Sequence, residues 1–316
     1  MTRLFTKTSP DKVLIIRLGA LGDVLQSEGA IRDIRAHHPG ASIAVLTTPP
    51  FQSIFEKCPW VDRILVDPRA PRLRIDRYLR LILMMRREKF DFIYDLQNSR
   101  RTLSYRRWIG SCWSQKDERQ LKDFQARIGG RLSILERLKI QLEQAGVAAA
   151  HTLKPDISWM AEDAAALLAS AGLNGDFIFL VPGSSTKHRG KRWPYYAELA
   201  RALAADGFAV ASAPGPDEID LCRSLPATLL LDGGRPLDFF QLAGVLRRAR
   251  FVIGNDTGPT HMAAYLGAPG LALFGPHTEA RATSLDSFMK IMEVKDLSSL
   301  SWREVLDAAR AALARE

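Results

Sequence analysis

The stretch Phe251-Val-Ile-Gly-Asn-Asp-Thr-Gly-Pro-Thr-His-Met-Ala-Ala264 decides how this chain is read, because an apolar run stops abruptly at a cluster of polar, glycine and helix-starting residues. The run predicts a buried strand. The residues after it predict a helix starting near Pro259, since proline suits a first helical turn. Asp256 and Thr257 are placed to cap that helix with their side chains. Amide groups and the positive dipole end at such a terminus favour a phosphate, so an anionic ligand is the first expectation.

A second turn of the same kind lies near the other end. Val13-Leu14-Ile15-Ile16 reads as a buried strand, followed by Gly19-Ala-Leu-Gly-Asp23 and an amphipathic helical stretch from Val24 to Ala36. The glycines are spaced GxxGD, not GxGxxG, and the acid sits inside the turn, so this is not the dinucleotide fingerprint. A carboxylate there would repel a pyrophosphate. Asp23 reads either as a catalytic or substrate-orienting group or as a helix N-terminal acid stabilising its own dipole.

Outward from these turns, short apolar runs at Ile43–Leu46, Ile64–Val66 and Phe90–Tyr94 alternate with helical patterns, which predicts βαβ units and a parallel sheet. The second half repeats the pattern. Strands are expected at Phe177–Val181, Ala209–Ser212, Leu229–Leu231, Phe251–Ile253 and Leu271–Phe274, with helices near Tyr195–Asp206, Pro236–Arg248 and Pro259–Leu266. The 316 residues, 47% of them apolar and 25% charged, suffice for two cores at about 100 to 200 residues per domain. The predicted organisation is therefore two doubly wound, Rossmann-like α/β domains, residues 1–155 and 156–316, joined near Leu153–Ser158, with the C-terminal helix as a candidate to pack back on the first domain. In such sheets ligands sit beyond the carboxyl ends of the strands, and both turns occupy that place, so a cleft between the domains is the expected site.

No run approaches the roughly 20 apolar residues that a membrane-spanning helix needs, and Met1-Thr-Arg-Leu-Phe-Thr-Lys7 lacks the apolar segment of a secretory signal, so a cytoplasmic protein is expected. Cys58, Cys112 and Cys222 are far apart and lack CxxC spacing, which suits packing residues in a reducing compartment. No DxD triplet is present, the six histidines are scattered except for His37-His38, and no metal or cofactor is expected. The net charge of +9 is unevenly placed: twelve Lys or Arg stand against four Asp or Glu between Arg69 and Arg107, a surplus of eight. Such a segment suits nucleic acid, anionic headgroups or a phosphorylated acceptor, or is a solvated helix face. Arg72, Arg74, Arg77 and Arg80 recur beside Leu79, Leu81, Ile82 and Leu83, a pattern an interfacial amphipathic helix would show.

Taken in order, Arg17-Leu-Gly-Ala-Leu-Gly-Asp23, Tyr94-Asp-Leu-Gln97, Pro182-Gly-Ser-Ser185, Lys191-Arg-Trp-Pro194, Gly215-Pro-Asp-Glu218, Gly254-Asn-Asp-Thr-Gly-Pro-Thr-His261 and Phe274-Gly-Pro276 resemble glycosyltransferase family 9, which contains the ADP-heptose:lipopolysaccharide heptosyltransferases. The resemblance runs from about Lys12 to Arg281, and its GNDTGPxH block is the most specific part. It implies a GT-B architecture, with an N-terminal acceptor domain, a C-terminal nucleotide-sugar domain and metal-independent inverting transfer. Asp23 then corresponds to the general base and Lys191 to the cation that neutralises the departing diphosphate. Ser184 and Ser185 would bind its oxygens, Glu218 the ribose hydroxyls and Asp256 the donor sugar. Thr257 and Gly258 would offer phosphate hydrogen bonds, and His261 belongs to the same donor set. Gly22, Arg72, Arg74, Arg77, Arg100 and Arg101 are the residues expected to meet the acceptor. A longer Ser184–Lys191 loop leaves the phosphate-binding hydroxyls open between Ser184, Ser185 and Thr186.

The chemistry is consistent with the residues alone. Breaking a sugar–diphosphate bond builds charge on the leaving group, and fixed cations plus helix-end amides stabilise that charge more in the transition state than in the ground state. Lys191 also reads as a helix-start surface lysine, and Glu218 as a first-turn acid. Three functions are carried forward. They are heptose transfer from ADP-heptose to the lipopolysaccharide inner core by an enzyme that docks peripherally at the inner membrane, a family relative with another nucleotide-sugar or acceptor, and a non-catalytic nucleotide- or nucleic-acid-binding module. Asp23 argues against the last, because a pure anion binder gains nothing from a carboxylate in its site. Nucleic-acid grooves favour exposed aromatics for stacking, and Tyr78, Tyr105 and Trp108 are too few and too near the apolar pattern, so no nucleic-acid partner is expected.

Overall fold

The computed structural model describes residues 10–69, 75–114, 132–276, 283–285 and 288–314. The chain divides into two compact units, Met1–Pro155 and Asp156–Glu316.

The first unit is built on a five-stranded sheet of β1 (Lys12–Ile16), β2 (Ser42–Thr47), β3 (Arg63–Val66), β4 (Phe92–Asp95) and β5 (Cys112–Ser114), in the order β3-β2-β1-β4-β5. Every neighbouring pair is parallel. Val13 through Ile16 are fully buried, as expected of a parallel strand covered by helices on both faces. One face packs Leu14, Ile16 and Ile93 on Leu81, Ile82 and Met85 of the helix Ile75–Glu88 and on Tyr105 and Ile109.

The amphipathic stretch after Gly22 is not one helix. It divides into Leu21–Gln26 and Glu28–His37, with the Ser27 hydroxyl donating to the Val24 carbonyl at 2.7 Å. A Cβ on Gly29 would lie 2.2 Å from the His151 carbonyl oxygen, so the second helix meets the end of the unit backbone to backbone. Buried Asp33 completes that join, accepting hydrogen bonds from the His151 and Thr152 amides and the Thr152 hydroxyl.

The second unit carries a six-stranded parallel sheet of β6 (Phe177–Val181), β7 (Ala209–Ser212), β8 (Thr228–Leu229), β9 (Phe251–Asn255), β10 (Gly270–Phe274) and β11 (Lys290–Glu293), ordered β11-β10-β9-β6-β7-β8. Ile178, Leu180, Ile253 and Leu273 pack on Trp193, Tyr196 and Leu199 and on Val305, Leu306 and Ala309 of the C-terminal helix Trp302–Leu313. That helix packs into the core of the second unit. In each sheet the chain proceeds to one side and then returns to the other side of its starting strand. The order thus reverses between β1 and β4 in one sheet and between β6 and β9 in the other, the places where ligands sit in open α/β sheets.

Candidate active site

At the carboxyl end of β1 the chain turns through Gly19, whose φ of +114° and a Cβ that would lie 2.2 Å from the Phe51 ring exclude any side chain. The turn delivers Gly22 and Asp23 into the first turn of the helix Leu21–Gln26, with Gly22 half-buried. Asp23 Oδ2 accepts from the Ala20 amide at 3.0 Å, while Oδ1 stands 3.7 Å from Arg17 Nη2, and the side chain keeps 35% exposure. One oxygen thus anchors the turn, and the group still reaches solvent.

Arg17 is the residue that the sequence reading left without a role. It is buried, and it donates through Nε to the Asp23 carbonyl at 2.7 Å and through Nη1 to the Leu96 carbonyl at 2.6 Å. Burial pulls its guanidinium below the ordinary pKa, opposed by the Asp23 and Asp95 carboxylates. Gln97 Oε1 accepts from the Leu18 amide at 2.8 Å, and buried Asp95 accepts from the Gln97 and Asn98 amides. The Tyr94–Gln97 motif therefore braces the Asp23 turn from the neighbouring strand.

Of the acceptor candidates, Arg77 and Arg100 are exposed. Arg72 and Arg74 lie outside the described residues. Arg101 is committed elsewhere: Nε and Nη2 donate to the two carboxylate oxygens of fully buried Asp67 at 2.7 Å each, and the Tyr105 hydroxyl donates to the same carboxylate. Burial alone would raise the Asp67 pKa, but these partners outweigh it and hold the carboxyl low. A fork spent in this way braces the buried Asp67 carboxylate.

In the second unit three loops follow the carboxyl ends of adjacent strands β9, β6 and β7. After β9 come Asp256 and Thr257, then the helix Gly258–Tyr265. Neither side chain caps that helix, contrary to the sequence expectation. Asp256, 7% exposed, instead receives Lys191 Nζ on Oδ2 at 2.5 Å and lies 3.2 Å from His261 Nε2 through Oδ1. Burial would raise the Asp256 pKa; His261 by hydrogen bond and charge, and then Lys191, hold it well below the carboxylate range. His261 thus stands behind Asp256 and steadies it. Lys191, 23% exposed, joins the loop after β6 to the loop after β9.

Asn255 makes a second such join. Fully buried, it donates from Nδ2 to the Pro182 and Gly183 carbonyls and accepts on Oδ1 from the Trp193 amide and the Tyr196 hydroxyl. Within the loop the Ser184 hydroxyl donates to the His188 carbonyl at 2.9 Å and is buried, whereas Ser185 and Thr186 are exposed. After β7, Glu218 Oε2 accepts from the Gly215 amide at 3.0 Å, and its carboxylate lies against Gly183 so closely that a Cβ there would be 2.2 Å from Oε2. Arg192 joins the loops after β6 and β7, donating to the Ser184 carbonyl at 2.8 Å with Nη2 3.8 Å from Glu218 Oε1. Among the described residues no group of three or more His, Cys, Asp or Glu is placed to hold a metal ion.

This arrangement offers a lysine, a helix start, exposed hydroxyls and an acid over a glycine. It suits a polyhydroxylated, diphosphate-bearing ligand. Residues 78–304 match the family described as glycosyltransferase family 9 (heptosyltransferase). The chain is 24% identical over 300 residues to lipopolysaccharide heptosyltransferase 2 of Salmonella typhimurium, covering 84% of this chain and 83% of that protein. In structure it is similar to the glycosyl transferase family 9 protein of Veillonella parvula, with TM-score 0.74, 19% identity and coverage of 97% and 98% of the two chains. It is likewise similar to Escherichia coli heptosyltransferase WaaC solved with ADP-2-deoxy-2-fluoro heptose, with TM-score 0.71, 19% identity and coverage of 95% and 99%. The two Rossmann-like units are those of the GT-B fold, and the chain belongs to glycosyltransferase family 9, the heptosyltransferases.

Proposed function

We propose that this enzyme moves heptose from ADP-heptose to the lipopolysaccharide inner core, with inversion and without a metal ion. The observation that carries the reading is Lys191 held on Asp256 at the β6/β9 switch point, beside the start of the helix Gly258–Tyr265. Asp23 takes the proton of the acceptor hydroxyl as its oxygen attacks the anomeric carbon. The bond from that carbon to the diphosphate oxygen breaks, and ADP leaves with the electron pair. Lys191, together with Thr257 and Gly258 at the helix start, stabilises the charge that develops on it. Ser185 and Thr186 are the hydroxyls open to the phosphates, Glu218 receives the ribose hydroxyls, and Asp256 receives the sugar. The Asp256 carboxylate stays ionised at neutral pH, so it both orients Lys191 and accepts sugar hydroxyls. Arg77 and Arg100, with Gly22 beside the base, belong to the acceptor side, a membrane-embedded anionic glycolipid met at the cytoplasmic leaflet.

The relative crystallised with an ADP-linked fluoro-heptose supports the choice of donor. Turnover of ADP-heptose with a deacylated inner-core acceptor should be unchanged by excess EDTA. Activity lost on chelation and restored by magnesium would show that Lys191 and the helix terminus do not suffice for the leaving group.

A further inference from the structure

Among the described residues five large apolar side chains are conspicuously exposed; three of them, Leu79, Leu83 and Leu103, fall inside the segment that carries the positive surplus, and a fourth, Trp108, directly follows it. Their exposures are 45%, 51%, 50% and 52%. Leu79 and Leu83 lie one turn apart on the solvent side of the helix Ile75–Glu88, while Leu81, Ile82 and Met85 on its other side fill the core. The helix is thus apolar on a face that its own fold does not use. Leu103 belongs to the neighbouring helix Arg100–Arg106, and Trp108 follows it. The two helices touch: Tyr78, adjacent to Leu79, places its hydroxyl 2.9 Å from that of Ser104, adjacent to Leu103, and the Tyr78 and Tyr105 rings are 5.9 Å apart.

Charge is arranged on the same helices. Arg80, Arg86, Arg87 and Arg107 are exposed. Of the four acids in the segment three are committed elsewhere: Glu88 is paired with Arg63 through two contacts of 2.8 Å, Asp91 accepts the Asp11 and Lys12 amides, and Asp95 is buried, whereas Asp76, in the first turn of the helix Ile75–Glu88, is exposed and leaves the cations in excess. Arginines stay cationic, and their stems lie along apolar surface while the heads reach phosphates.

We infer that the paired helices Ile75–Glu88 and Arg100–Arg106 form a docking face for an anionic lipid bilayer, with the leucines and Trp108 entering the headgroup boundary and the arginines holding lipid phosphates. The inference rests on the proposed glycolipid acceptor and names the surface that would bring the enzyme to it. A second copy of the chain fits this face poorly, because the positive surplus would oppose itself. Nucleic acid leaves the leucines unexplained. An anionic bilayer matches both features, since interfacial binding scales with buried apolar area plus attraction to anionic headgroups, and tryptophan favours that depth.

The test uses the full chain, vesicles of phosphatidylcholine with and without phosphatidylglycerol, and no donor or acceptor. The wild type should co-sediment with the anionic vesicles, and Trp108 emission, taken as the difference from Trp108→Phe, should shift to the blue. The exposed triple variant L79Q/L83Q/L103Q should melt as the wild type does yet bind these vesicles about tenfold or more weakly. Its turnover of a deacylated, soluble acceptor should hold, while KM rises for acceptor embedded in a bilayer. Equal vesicle binding by the variant, no binding by the wild type, or a wild-type dimer that the variant turns into a monomer would each overturn the inference. If leucine-dependent vesicle binding is seen but no acceptor is turned over, the docking face stands and the proposed reaction falls.

Discussion

Asp23 and Asp256 are carboxylates at the ends of parallel strands, yet their surroundings set them to different tasks. Asp256 is 7% exposed and clasped by a lysine and a histidine, which suits holding and orienting. Asp23 is 35% exposed, Arg17 stands 3.7 Å from it, and one of its oxygens is spent on a backbone amide. A base must reach its proton, and of the two carboxylates Asp23 is the more open to solvent, which fits the role proposed for it. Asp23→Asn retains volume and an oxygen to accept the Ala20 amide, so the turn should survive. Turnover should fall by about 10²- to 10⁴-fold while ADP affinity stays nearly constant. Near-normal turnover in single-turnover measurements would reduce Asp23 to an anchor of its own helix. Both aspartates were legible in the sequence because each interrupts an apolar run beside glycine. The partners of Arg17 and Asn255 were not: Leu96 is 79 residues from Arg17, and Gly183 is 72 from Asn255, separations across which no local pattern speaks.

At the scale of elements, two glycines show how close packing serves two ends. Gly183 ends the strand-to-loop transition under the Glu218 carboxylate, and a Cβ there would meet only the far end of that flexible side chain. Gly29, inside a helix, would drive a Cβ to 2.2 Å from the His151 carbonyl oxygen, which is backbone and cannot step aside cheaply. Gly183→Ala should therefore displace Glu218 and weaken ADP binding by about tenfold, with little loss of stability. Gly29→Ala should cost about 1 to 3 kcal/mol of unfolding free energy, with ADP binding in the surviving fold unchanged. Calorimetry with ADP and urea unfolding, done on both variants, decide this; a reversed pattern would remove Glu218 from the donor site. The strands found at sequence level are those with continuous apolar runs. The edge strands Cys112–Ser114 and Lys290–Glu293 were missed because they are short and only partly buried, so their residues carry no such signal. The single helix expected over Val24–Ala36 became two because Ser27, polar but unremarkable in the pattern, bonds back to the backbone.

For the whole molecule, the proposed donor groups, from Ser185 through His261, all belong to the second unit, whereas Asp23 belongs to the first. ADP should accordingly raise the melting temperature through the second unit alone: at about a hundred times Kd it adds about 2.7 kcal/mol, worth a few degrees in a unit of this size. That shift should persist in Asp23→Asn and vanish in Lys191→Met. Its loss in Asp23→Asn would contradict the division of labour.

Taken by itself, the sequence determined the fold class, the doubly wound pattern of both units, the two strand-end turns and the family, because apolar runs and glycine–acid punctuation are local properties written in consecutive residues. Only the tertiary structure decided what each charged group does. It took Asp256 from capping to holding Lys191, spent Arg101 on Asp67, turned the Ser184 hydroxyl inward and left three leucines on the basic helices, with Trp108 just beyond them, exposed. The physical reason is that a charge or a hydroxyl is assigned by whichever partner lies within hydrogen-bond reach once the chain is packed, and those partners come from strands and loops that the sequence keeps far apart.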